Sequence, residues 1–390
     1  MVQLARRVEH LGPTAAFEVL ARANELARQG KSIVHFEIGE PDFDTPVNIT
    51  DSAVKALRGG NTKYVDGQGL LELRKVVAEH VARKRGIEVS PTEVVIGPGA
   101  SPVIFFVILA LIESGDEVIY PNPGFFTYEP VTILAGGTPV PIHLWEEKEF
   151  SIDVDEIKSK ISPRTKLLIL NSPNNPTGGM ISANGLKELA DLLSDRDIRV
   201  LSDEVYSEMV YDGEFHSISS FPGVKDRTII VDGFSKTYAM TGWRLGYGVM
   251  DIELSYKVAA LMIQCNSCVP PFVQMAGIEA LKGPQGGVKE RLEIFRRRRD
   301  LIVEGLNQIP GLNCLLPKGA FYVFPSHKGI KMPSKELALK LLNEAGVACL
   351  PGTAFGEFGE GYLRFTYSNS EDNIREALKR IGKFFCSKKA

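Results

Sequence analysis

The chain has little cysteine: five in 390 residues, an odd number. That fits reduced thiols in a cytoplasmic protein better than a disulfide framework. Cys265 and Cys268 stand at CxxC spacing, but no second pair and no nearby histidine completes a metal site, so no metal is expected. Long apolar runs are also lacking. The longest, "PVIFFVILALI" at 102–112, suits a buried helix and falls short of the ~18 residues a membrane span needs. The N-terminal "MVQLARRVEHLGP" has no long apolar core and no small-residue cleavage site, so no signal peptide is expected. An excess of one charge is missing as well. Lys and Arg number 45, Asp and Glu 48, for a net charge of −3, which argues against a nucleic-acid partner. The one dense basic cluster, Arg296 to Arg299, lies in "RLEIFRRRRDLIVEGL", a helical pattern in which a solvated face is expected. There is no internal repeat, no low-complexity tract and no long linker.

What is present is a regular alternation. From about residue 92, apolar β-branched runs ("EVVI", "EVIY", "TPVPIHL", "TKLLILN", "IRVLSDEVY", "TIIVDGFSK", "GWRLGYGVM") alternate with helical stretches. This predicts an α/β fold with a mostly parallel central sheet covered by helices on both faces. The C-terminal part mixes strands, "AFYVFP" and "GYLRFTYS", with helices and reads as a smaller α+β unit. The expected division is an N-terminal segment, 1–48, packing with the small unit, then a large α/β domain, 49–285, and a small domain, 286–390.

Ligands of an open parallel sheet bind outside the carboxyl ends of its strands. Three polar clusters fall at such ends. "LLILN" runs into "SPNNPTGG", "IRVLS" into Asp203, Glu204 and Tyr206, and "TIIVDG" into Ser235 and Lys236. The glycine loop "GPGAS", 97–101, between a strand and a helix start, offers backbone N–H groups to a phosphate. Each element has a plain structural reading too. The loop lacks a full dinucleotide or P-loop signature, Asp203 could cap a turn, Tyr206 could be core, and Lys236 could snorkel to water. Burying a lysine for structure alone is rare, because desolvating its charge is costly. An amine, a carboxylate, a phenol, an amide and a phosphate loop together suit a phosphate-bearing aromatic cofactor, pyridoxal 5'-phosphate (PLP), held by a lysine.

At this point "NSPNNPTGG", "SDEVY", "SKTYAMTGWRLGY" and "YLRFTYS", in this order, resemble the fold-type I PLP-dependent aminotransferases of the class I/II, aspartate aminotransferase family. The likeness runs from "IGEPDFDTP" to the C-terminal arginine. It implies an amino acid:2-oxo acid aminotransferase with PLP as cofactor, acting by ping-pong half-reactions. By the family pattern Lys236 forms the internal aldimine and later moves the substrate proton. Asp203 pairs with the pyridine nitrogen, and Tyr206 and Asn175 bond the ring oxygen. Phe125 stacks on the ring. Gly99, Ala100, Ser101, Ser235 and Arg244 fall at the phosphate. Tyr64 reaches the phosphate of a neighbouring subunit, which implies a homodimer with shared sites. Arg364 grips the substrate α-carboxylate, with Gly39 and Asn175 beside it.

Three positions depart from the pattern. Gly233 stands where many members carry a phosphate-binding serine. Ala100 stands where relatives acting on acidic substrates carry a lysine. Phe125 replaces a tryptophan. Acidic, aromatic and small neutral donors therefore all stay open. Two rivals remain on the same frame: a PLP-dependent C–S β-lyase, which would use the same Lys236, Asp203 and Arg364, and a non-catalytic PLP-binding regulator, for whose DNA-binding module the chain before residue 30 leaves no room.

Overall fold

The computed structural model describes residues 15 to 387, together with Ala5 and Val8. The start of the expected N-terminal segment thus lies largely outside the described residues. The strands are β1 (Val34–His35), β2 (Val94–Gly97), β3 (Glu117–Asn122), β4 (Thr138–His143), β5 (Thr165–Asn171), β6 (Arg199–Asp203), β7 (Thr228–Gly233), β8 (Gly246–Val249), β9 (Tyr322–Val323), β10 (Val347–Ala348), β11 (Leu350–Pro351) and β12 (Leu363–Thr366). Seven of them form one sheet in the order β2-β8-β7-β6-β5-β3-β4. Only β8 runs against its neighbours.

The β5 run "LLIL" shows why this sheet is covered on both sides. Leu167 and Ile169 face one core with Val103 and Val107 of helix Ala100–Leu111. Leu168 and Leu170 face another with Leu186 and Leu189 of helix Ala183–Leu193. A strand buried on both faces reads as a continuous apolar run, because each pleat meets a helix. Helix 100–111 is apolar nearly all round for the same reason: it lies under the sheet, as its run of branched residues predicts.

The smaller unit centres on β12, which pairs antiparallel with β11 and β9. Ordered pairing of "AFYVFP" is confined to Tyr322 and Val323. Helices Gly286–Asn307 and Glu371–Ser387 flank this unit. β1 pairs in parallel with β10, and Ala23 and Leu26 of helix Ala15–Arg28 pack on Leu342 and Ala348.

The arginine cluster departs from expectation. Arg298 and Arg299 are buried rather than solvated. Arg298 makes a bidentate pair with Asp42, at 2.7 and 2.9 Å. Arg299 bonds Asp212, Asp300 and the Pro317 carbonyl. The reason is helical geometry. Four consecutive residues cover more than three-quarters of a helix circumference, so a run of four arginines must turn some inward. Only planar, multi-donor guanidinium groups with carboxylate partners make that tolerable.

Candidate active site

Strand register creates the site. Asn171 of β5 lies opposite Asp203 of β6, and Asp203 lies opposite Val231 of β7. β5 and β6 end level and β7 runs two residues further, to Gly233, and the turns after all three open on one cavity. Its lining includes Asn171, Asn175, Asp203, Tyr206, Ser235 and Lys236. From the smaller unit come Tyr322 and Arg364, and from the N-terminal segment Phe17, Glu37 and Gly39.

The Lys236 amine donates to the Gly39 carbonyl at 2.5 Å and lies 5.7 Å from the Phe321 ring centre. Burial, aided by the nearby Arg364 charge, pulls its pKa down to about 8. A fraction of the amine is therefore free near neutral pH, which a nucleophile or base requires.

Asp203 responds in the opposite sense. Burial pushes its pKa up to about 6, partly opposed by a hydrogen bond from the Tyr128 hydroxyl at 2.7 Å. Its position is held further by the Asn171 side chain, which donates to the Asp203 carbonyl at 3.1 Å. A buried carboxylate with so little cationic company gains by meeting a protonated ring nitrogen.

Arg364 of β12 is fully enclosed. One guanidinium nitrogen donates to the Glu37 carbonyl and another to the Asn175 amide oxygen at 3.4 Å. The group lies 4.7 Å from the Tyr322 ring centre and 5.0 Å from that of Phe355. Its Nε finds no partner among the described residues. A buried cation with an unfilled donor is prepared for an anion.

The glycine loop makes a second anion site. Helix 100–111 begins with no side-chain cap and no acidic residue in its first turn. Gly99 has φ +107°, and a Cβ there would stand 2.6 Å from the Arg244 guanidinium. At Gly246 a Cβ would stand 2.5 Å from the Ala100 nitrogen. Backbone, helix N-terminus and Arg244 thus crowd one concave spot, with Ala100, Ser101 and Ser235 on the cavity wall. Gly233 has a packing reason: a Cβ there would come within 3.2 Å of the Gly246 Cα on the paired strand. Ser235 puts a hydroxyl on the cavity wall.

Tyr64 stands apart. It is 86% exposed and does not line this cavity. Phe125 does line it, edge-on to Tyr128 at 5.7 Å. Sequence reasoning missed Tyr128, Asn171, Tyr322 and Glu37. Tyr128 stood in plain view in "GFFTYEP", but nothing local says that its hydroxyl points back to Asp203.

The family described as Aminotransferase class I and II matches residues 31–381. The chain belongs to that family. It is 41% identical to a probable aspartate/prephenate aminotransferase of Aquifex aeolicus, over 97% of this chain and 98% of that one. It is 40% identical to aromatic-amino-acid aminotransferase 2 of Thermococcus litoralis, over 99% of both. The crystal structure of the aspartate aminotransferase from Rhizobium meliloti superposes with a TM-score of 0.94 at 37% identity, covering 99% of each chain. The protein is accordingly a PLP-dependent aminotransferase. The residues present fit that cofactor. The uncapped helix start and Arg244 suit its phosphate, the lowered Lys236 its aldehyde, and the raised Asp203 its ring nitrogen.

Asp203 gives a test in the cofactor-free protein. Its folded pKa, about 6, lies above the ordinary value of 3.8, so the folded state holds the proton more tightly. The linked stability is fully present below about pH 4 and is lost as pH rises through about 6. Asp203→Asn suffers no such loss. Urea unfolding should show the variant gaining on the parent by roughly 2–3 kcal/mol between about pH 4 and 7. A difference that stays flat over this range would refute the raised pKa.

Proposed function

We propose that this aminotransferase passes the amino group from an amino acid to a 2-oxo acid in two ping-pong half-reactions, with Lys236 as the cofactor lysine and Arg364 as the carboxylate clamp. One observation carries the reading: an amine of lowered pKa, from the turn after β7, and a buried guanidinium with an unpaired Nε, from β12, line one cavity. When bound, PLP supplies an electrophilic carbon for the amine and a ring that accepts the electron pair left by the departing α-proton. The protein does the rest. Arg364 holds the substrate α-carboxylate through two parallel N–H donors, with Asn175 beside it. Lys236 would take the substrate α-proton on Nζ and deliver it to the cofactor carbon, and the reverse in the second half-reaction. Asp203 keeps a proton on the ring nitrogen, because its own burial makes an unpaired negative charge expensive. Tyr206 and Asn175 would direct hydrogen bonds at the ring oxygen, and Phe125, on the same cavity wall, would pack on the ring. Gly99, Ala100, Ser101, Ser235 and Arg244 hold the phosphate.

Borohydride reduction of the holoenzyme and peptide mapping should place the label on Lys236. Lys236→Ala should fold, bind PLP without the covalent link, and lose at least ~10²–10⁴-fold in turnover. A label on a different lysine sinks the assignment.

The donor range follows from charge. Among the described residues the cations lining the cavity are Lys236, Arg244 and Arg364, and each already has a task. The remaining wall includes Ala16, Phe17, Ile38 and Phe126, which are apolar. No cation is left for a second carboxylate at Ala100. Donors with neutral or aromatic side chains are therefore accepted along with acidic ones. The named relatives, aspartate/prephenate and aromatic, support that breadth. Steady-state constants should show aspartate and phenylalanine within about a thousandfold, some 4 kcal/mol, in kcat/KM. A larger preference for aspartate means that a dedicated carboxylate partner exists.

The assembly is a homodimer in which Tyr64 completes the neighbour's phosphate site. Its exposure and its absence from the lining of its own chain's cavity support this. Mixing Tyr64→Phe with Lys236→Ala tests it. One site of the mixed dimer then carries both defects and the other neither, so activity partly returns. Exchange of subunits without recovery would show self-contained sites.

A further inference from the structure

Tyr322 belongs to β9, in the same small sheet as Arg364, whereas Tyr206 follows β6 beside Asp203. Their hydroxyls are 2.7 Å apart, and their rings meet edge to face at 5.6 Å. Both residues are buried, at 3% and 1% exposure, so neither hydroxyl can rely on bulk water. No second partner for either is found among the described residues. The hydroxyl of Tyr322 has room only because residue 39 is glycine: a Cβ there would stand 2.2 Å from it.

We propose that Tyr322 is a positioning residue for the cofactor's ring oxygen, acting through Tyr206. The inference rests on the reading of Tyr206 given above. Each phenol owns one proton. If Tyr206 gives its proton to the ring oxygen, then Tyr322 must be the donor between the two. A phenol that accepts one hydrogen bond becomes a better donor in the next. The Arg364 guanidinium, 4.7 Å from the Tyr322 ring centre, favours this direction. Burial raises the Tyr322 pKa, and the Arg364 charge opposes the rise, which makes Tyr322 the readier donor. Tyr206, pushed well above the usual range by burial and by Tyr322, keeps its own proton for use elsewhere. The chain Arg364–Tyr322–Tyr206 thus joins the carboxylate end of the cavity to the ring-oxygen end. A phenylalanine at 322 would fill the same ring volume and break only this link.

The test is a double-mutant cycle read by absorbance on holoenzymes. A donor bond to the ring oxygen favours its anion, so weakening that bond raises the pH midpoint of the cofactor's visible band. Tyr322→Phe should raise the midpoint by about half a pH unit, and near-ultraviolet circular dichroism should stay that of a folded protein. Tyr206→Phe should raise it further. The double variant should match Tyr206→Phe alone, because Tyr322 has nothing left to act through. A Tyr322→Phe midpoint equal to the parent's overturns the proposal. So does an equal shift on the Tyr206→Phe background, which would reveal a general structural effect. Absence of the Lys236 label in the parent would instead overturn the underlying site assignment, a result distinct from an unmoved midpoint.

Discussion

The register of three adjacent parallel strands is the constraint on which the rest depends. Asn171, Asp203 and Val231 lie level across β5, β6 and β7. Side-chain direction alternates along a strand, so a slip of one residue would send Asp203 to the opposite face. Both faces of this sheet are packed with helices, and the slip would also bury a polar residue in a helix interface. The apolar cores on each side therefore hold the register, and the register holds the carboxylate. Lys236 inherits its place from the same strands, since it enters the cavity from the turn that follows β7.

Burial then sorts the charges. Desolvation moves Lys236 and Asp203 in opposite directions, each toward its neutral form. Groups so displaced are unstable alone and are relieved by a partner of the right charge. The same applies to Arg364, whose Nε is unpaired inside the protein. On the function proposed above, the cofactor and the substrate carboxylate are what these three groups lack. Part of the binding energy of such partners offsets a cost already built into the folded chain.

A second buried cluster supports the same strand ends from behind. Arg85 bonds Glu204 at 2.7 Å and Asp232 at 3.2 Å, the residues after β6 and near the end of β7. One guanidinium thus clips together the strand that ends in Asp203 and the strand whose following turn carries Lys236. Burial pushes Asp232 up to about 7, and the Arg85 charge holds it back. Its fork geometry suits the task, because two acceptors from different strands are met by one planar group.

Much of the fold was legible from residue order alone. Apolar runs with helical spacing between them dictate a covered parallel sheet, and a covered parallel sheet puts ligands at its carboxyl edge. Lys236, Asp203, Tyr206 and Asn175 could be picked out because each follows such a run. Arg298 and Arg299 were misread because a charge cluster in a sequence has no inside or outside until a helix is wound and packed. Tyr128 and Tyr322 were passed over for a related reason. An aromatic residue in an apolar stretch looks like core, and only its neighbours in space show where the hydroxyl goes. The sequence by itself determined the alternation, the strand ends and the chemistry that gathers there, since these rest on local periodicity. The tertiary structure alone decided which distant groups meet: Arg364 with Glu37 and Asn175, and Tyr322 with Tyr206. Those pairings join chain segments more than a hundred residues apart. Their geometry is set by how the small β11-β12-β9 sheet and the N-terminal segment pack against the ends of the seven-stranded sheet, which no local pattern encodes.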